Sequence, residues 1–272
     1  MREKASFEER LRRVDGRHNA QVKELRRLFR EAVPGSHGEV AVEGMHLVEE
    51  AIRSGLRIST VFFGDSARER AHKLLPQLSA HSEALSLPDE LFASAVPSET
   101  SQGVAAVVRV REFTREDLLG AHPALLLMTS GLQDPGNLGT IARSGEAFGA
   151  TGLLLGEGTV SQWNWKAVRA SAGSLFRLPA VKLPIQDTIR ELRTRGIRLL
   201  AASSHKGTPI WDADLRHPIA ILIGGEGGGV PKDLMAQADE LIAIPQSEKV
   251  ESLNAGIAAS VVLYEAARQK KQ

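Results

Sequence analysis

The chain has 272 residues, 42% of them hydrophobic and 25% charged, values near the average for soluble globular proteins that exclude disorder and fibrous architectures and leave room for two domains. No run approaches the ~18 consecutive apolar residues of a membrane span. With no cysteine, disulfides, thiolate metal sites and cysteine nucleophiles are excluded.

The net charge of +1 is unevenly distributed, because residues 1–30 hold ten Lys or Arg against five Asp or Glu. A basic segment of this kind suits a phosphate backbone, which releases counterions on binding. The opening residues lack the apolar core of an export signal, so the expected location is cytoplasmic. Leu11, Val14, Val22, Leu25, Leu28 and Phe29 fall at helical spacing among arginines and end at Pro34-Gly35, which predicts a basic helical extension over 1–35.

Residues 40–42, 61–63 and 104–110 read as strands and 45–52 and 67–78 as helices, predicting a small α/β domain over 36–111. Polar residues 112–123 read as a linker. From 124 to 272 the strands are short continuous apolar runs, at 124–128, 152–155, 198–202, 219–223 and 241–244, as expected of a parallel sheet covered on both faces.

In such a sheet ligands bind beyond the carboxyl ends of the strands, so polar or glycine-rich residues directly after apolar runs are the candidates. The first group runs from Leu132 to Arg143, where Asn137 would cap a helix that carries Arg143 on its second turn. A second is Gly224-Gly225-Glu226-Gly227-Gly228-Gly229-Val230-Pro231, with Pro231 at the first position of a helix and Gly224 allowing close backbone approach to a ligand. The third runs from Ile244-Pro245 to Ser252-Leu253-Asn254, opening a helix to about Arg268. That helix begins with small residues, Ala255, Gly256, Ala258, Ala259 and Ser260. Leu253, Ile257, Val261 and Tyr264 give it an apolar stripe.

In this order and spacing the three motifs resemble the signature of the SpoU (TrmH-like) branch of the SPOUT RNA methyltransferases. The resemblance rests on Asn137, Gly139, Ile141 and Arg143, on Gly224 to Gly227, and on Ser252-Leu253-Asn254. Val42-Glu43-Gly44 and residues 101–106 are similar to that family's ribosomal-protein-like substrate-binding domain. The resemblance implies an α/β domain tied into a trefoil knot, S-adenosylmethionine as methyl donor, a homodimer, and RNA, ribosomal in the first instance, as substrate, with no metal. Carried over, Arg143 and Asn254 are the leading catalytic residues, with Asn137, Glu226 and Ser252 shaping the site. Gly224, Gly225, Gly227, Ile244 and Leu253 would hold the cofactor.

Two stretches depart from the family's pattern: Gln246, Ser247, Glu248 and Lys249 replace its usual Met then Gly, and Ala255-Gly256 replaces a branched residue or serine run. A ribose hydroxyl is a weak nucleophile that must be aligned and relieved of its proton. Arg143 would act as base or as orienting group, and the latter is chemically easier because a guanidinium is a poor proton acceptor. Trp163 and Trp165 are expected to pack, and His205-Lys206-Gly207 to form a solvated loop. The alternatives are a transfer-RNA methyltransferase, a non-catalytic RNA-binding paralogue, and a nucleotide-dependent oxidoreductase, which would leave Ser252-Leu253-Asn254 unexplained.

Overall fold

A computed structural model describes residues 10–204, 206–247 and 249–270. The expectations for residues 1–9 and for His205 and Glu248 lie outside the described residues. The chain forms two compact units: one takes in the described residues up to Glu112 together with Trp163–Phe176, the other Phe113–Gln162 and the described residues from Arg177 onward.

The first unit is a five-stranded sheet in the order β1-β4-β3-β5-β2. Its strands are β1 (Leu11–Arg13), β2 (Glu39–Glu43), β3 (Arg57–Gly64), β4 (Glu83–Leu87) and β5 (Val104–Arg109). β5 runs antiparallel to both of its neighbours, and the other pairs are parallel. Alternation along the strands serves two cores. Val40, Val42, Val61, Phe63, Ala106 and Val108 face α2 (Met45–Arg53) and α3 (Arg68–Leu74), while Ala41, Phe62, Leu85, Ala105 and Val107 face α1 (Ala20–Glu31) and α4 (Asp89–Ala93).

This corrects the first boundary. Residues 10–35 are not a separate extension, because β1 pairs with β4 and α1 buries Val22, Leu25, Leu28 and Phe29 in the second of those cores. Each such side chain contributes ~1.5–3 kcal/mol by burial, far more than the solvated face of a basic tail would provide. Asn19 starts α1 by accepting from the backbone N–H groups of Gln21 and Val22. Trp163–Phe176 also joins this unit, through α7 (Trp165–Ser171), with Val168 and Phe176 in the first core. Trp163 and Trp165 pack against the cores, as expected.

The second unit is an all-parallel seven-stranded sheet, ordered β10-β12-β9-β11-β6-β7-β8. Its strands are β6 (Leu125–Ser130), β7 (Gly152–Leu155), β8 (Ala180–Lys182), β9 (Arg198–Ser203), β10 (Thr208–Pro209), β11 (Ile219–Gly224) and β12 (Glu240–Ala243). The expected linker belongs to this unit: Thr114 forms a capping box with Asp117 at α5 (Arg115–Leu119), whose Leu118 and Leu119 are buried in the core with α8 (Ile185–Thr194). On the other face α6 (Pro135–Ala147) and α10 (Ala255–Lys270) pack together, with Gly256 so close that a Cβ would lie 3.1 Å from Thr140 Cβ. Ser144 and Ser260 share a 2.6 Å hydrogen bond across that contact. Among the described residues no helix is long and apolar enough to cross a membrane.

Candidate active site

All three motifs leave the same edge of the second sheet, because β6, β11 and β12 are parallel and end at that edge. The loop after β11 folds back on itself through a bridge between Gly225 and Gly229. A Cβ on Gly224 would lie 1.9 Å from the Gly229 carbonyl carbon, and one on Gly225 would lie 2.0 Å from the Gly131 oxygen in the loop after β6. The close approach required at Gly224 is therefore the protein's own backbone, where a ligand was expected.

Glu226 joins the first two motifs. Its Oε1 accepts from Asn137 Nδ2 at 2.5 Å and its Oε2 from the Gln133 backbone N–H at 3.3 Å. Partial burial pushes the Glu226 carboxyl up, but the Asn137 amide and the backbone N–H groups of Glu226, Gln133 and Asp134 more than offset it and hold the group below the usual carboxylate range. Asn137 is thus not the cap of α6. That role falls to Asp134, whose Oδ1 accepts from Gly136 N at 2.6 Å and Asn137 N at 3.3 Å, freeing the buried Asn137 amide to reach Glu226. Pro231 likewise stands at the cap of α9 (Lys232–Met235) and not at its first position. Asn254 does cap its helix, accepting from Gly256 N at 2.9 Å and Ile257 N at 3.2 Å.

Between the loops after β9, β11 and β12 and the start of α10 lies a cavity of about 680 Å³. Gly224, Gly225, Glu226, Gly227, Ile244, Ser252, Leu253 and Asn254 all line it. Asn137 and Arg143 do not; Asn137 acts through Glu226. Arg143 is exposed on α6 and has no hydrogen bond or ion pair among the described residues. Sequence reasoning missed Ser203 and Ser204 in the cavity wall and named Gln246, also there, only as a departure from the family's pattern. The two serines follow the apolar run of β9, the same signal that marked the other loops. Gln246 Nε2 donates to the Ser204 carbonyl, and its Oε1 is buried without a partner.

The wall combines apolar Ile223, Ile242, Leu253 and Val262 with glycine backbone and the polar side chains of Ser203, Ser252 and Asn254. Such a pocket has the size and mixture usual for a small organic ligand that presents a flat ring and polar edges. No group of three or more His, Cys, Asp or Glu among the described residues is arranged to hold a metal.

Residues 124–264 match the SpoU rRNA methylase family and residues 19–106 the MRM3-like substrate-binding domain, so the chain belongs to the SpoU rRNA methylase family. It is 29% identical to the Bacillus subtilis 23S rRNA (guanosine(2553)-2′-O)-methyltransferase RlmP, over 93% of this chain and 98% of that one. It is 33% identical to the 23S rRNA (uridine(2479)-2′-O)-methyltransferase of Streptomyces viridochromogenes, over 86% of this chain and 84% of that one. The solved SpoU methyltransferase AviRb of Streptomyces viridochromogenes, in complex with the cofactor AdoMet, superposes with a TM-score of 0.80 at 29% identity, covering 94% of this chain and 99% of that chain.

Proposed function

We propose that the protein transfers the methyl group of S-adenosylmethionine to a ribose 2′-hydroxyl of RNA, with ribosomal RNA as its substrate. The observation that carries this is the cavity lined by the second and third motif loops, to which Glu226 ties the first motif. S-adenosylmethionine supplies an electrophilic methyl group on sulfur. Ile223, Ile242, Leu253 and Val262 would give its adenine an apolar slot, and the glycine backbone would meet its polar edges. Ser252 and Asn254 form the mouth, where the ribose enters.

In the transfer the bond from O2′ to the methyl carbon forms as the bond from that carbon to sulfur breaks, and the hydroxyl proton passes to solvent. Arg143 orients the ribose or its phosphate through its guanidinium fork. It does so from a second copy of the chain. Arg143 stands outside its own cavity, and Leu253 just before α10 with Ile257 and Tyr264 on it are exposed apolar side chains, at 36%, 52% and 57% exposure, that a two-fold partner would cover. The return of α10 past the loop after β11 to pack on α6 supports the trefoil knot. The reading places the enzyme in the cytoplasm with its RNA.

The test is transfer of labelled methyl from S-adenosylmethionine to protein-free ribosomal RNA and, separately, to transfer RNA, followed by mapping of the 2′-O-methyl group. Label in ribosomal RNA that disappears with Arg143→Ala supports the reading. Label only in transfer RNA, or in neither, overturns it.

A further inference from the structure

At the end of the first sheet where β2 and β3 begin and β5 finishes, His37, Glu39, Arg57, Ser59, His81 and Arg109 line a cleft of about 310 Å³. Arg109 stands directly opposite Glu39 on one side and Arg57 on the other, so the three form one cross-strand row. Directly opposed side chains lie about 4.5–5.5 Å apart at Cβ, where two like charges repel.

Glu39, opposite Arg109, is the one acid in that row, against two guanidinium groups. Neither the Arg57 nor the Arg109 guanidinium makes a hydrogen bond or ion pair among the described residues, and the Glu39 carboxylate accepts from Ser59 Oγ at 2.8 Å. The basic leading segment is different. Arg12 is paired with Glu83, Arg13 with Asp15 and Asp65, and Arg27 with Glu24 and Glu31. Part of the cationic charge that the sequence places at the front of the chain is thus paired with acids of the fold, while the opposed guanidinium pair at this sheet end is left open.

We propose that this cleft is a phosphate site for the RNA backbone, in which Arg57 and Arg109 together grip one phosphodiester and the imidazoles of His37 and His81 supply further polar contacts. Two planar forks on one row match the non-bridging oxygens of a phosphate, which also removes the like-charge repulsion. The inference rests on the reading that the substrate is RNA, and it assigns to the first unit a phosphate contact built from strand ends.

The experiment measures binding of protein-free 23S rRNA over a range of salt for wild type, Arg57→Gln, Arg109→Gln and the double variant. Arg190→Gln, on α8 of the second unit, is the control for loss of one positive charge. Losing the phosphate contact should weaken RNA binding several-fold and reduce the slope of log K against log salt by about 1. S-adenosylmethionine affinity, read by calorimetry, should not change. The melting temperature of each single variant should equal or exceed that of wild type, because a repulsion has been removed.

A slope unchanged from wild type, or lowered equally in Arg190→Gln, overturns the site. Inorganic phosphate that displaces RNA efficiently at matched ionic strength also overturns it, in favour of a site for free anions. Failure of the wild type to bind ribosomal RNA at all would instead bring down the functional reading itself.

Discussion

The amide of Asn137 donates to the carboxylate of Glu226 across 89 residues of sequence, with 2.5 Å between Nδ2 and Oε1. The first turn of α6 and the loop after β11 are thereby held at one spacing. Removing a hydrogen bond to a charged acceptor ordinarily costs ~1.5–3 kcal/mol, and the exposure of Glu226 brings the expected loss for Asn137→Ala to about 1 kcal/mol. Cofactor affinity should fall with it, because Glu226 lines the cavity. Calorimetry and a melt on the same variant check both.

The pH dependence has a definite sign. Glu226 is held below the ordinary carboxylate range when folded, so its contribution is present above about pH 4.3 and is lost as the pH falls through the lower folded value. The stability difference between wild type and Glu226→Gln should therefore be constant near neutrality and shrink on acidification. Melts taken towards about pH 3 would contradict this if the gap widened.

Glycines in the loop after β11 should differ sharply in tolerance. Gly225→Ala drives a Cβ to 2.0 Å from the Gly131 oxygen, and Gly224→Val meets the Gly229 backbone, whereas Gly228 has open space around it. Overpacking of this kind costs ~1–3 kcal/mol or more. Gly224→Val and Gly225→Ala should lower the melting temperature and abolish S-adenosylmethionine binding together. Gly228→Ala should do neither.

A shared site predicts recovery from two dead variants. Arg143→Ala removes the orienting group, and Ser204→Trp fills the cavity from its exposed rim. Unfolded, mixed and refolded, they should give about half mixed dimers, each with one intact site of two, and so about a quarter of wild-type activity. No recovery after proven subunit exchange would put Arg143 in its own chain's site. Ile257→Asp with Tyr264→Asp, in turn, should halve the mass seen by light scattering.

Deletion of residues 1–35 should not yield a folded protein with merely weaker RNA affinity. It removes β1 and α1 and uncovers Phe62, Leu85, Ala105 and Val107. The truncated chain should be poorly soluble and lose a cooperative melting step. A soluble product with an unchanged melt would show that α1 is dispensable.

The sheet of the second unit was legible because buried parallel strands are written as unbroken apolar runs, as in Ile219–Gly224. Ala180–Lys182 and Thr208–Pro209 are too short to leave such a trace. Leu118 and Leu119 lay hidden in a polar stretch, since one turn of helix offers only two apolar positions. The cavity-lining glycines, Ser252 and Asn254 were found by motif, while Gln246 was noticed only as a departure. That Asp134 and not Asn137 caps α6 depends on Glu226, 89 residues further on, and no local pattern encodes it. The transfer of Trp163–Phe176 to the first unit is likewise a non-local choice.

The docking of α10 on α6 also has a temporal side. Asn254, Ala255, Ala258 and Val262 form one wall of the cavity, yet their helix packs on a partner made far earlier, as Ser144 and Ser260 are separated by 116 residues. A ribosome adding about 5–20 residues per second leaves that wall missing for many seconds after the first motif has emerged. A nascent chain in that interval has the glycine loops of β11 at most, without the helix start that closes them. The cavity thus closes only after residues 254–262 have been made and have docked on α6.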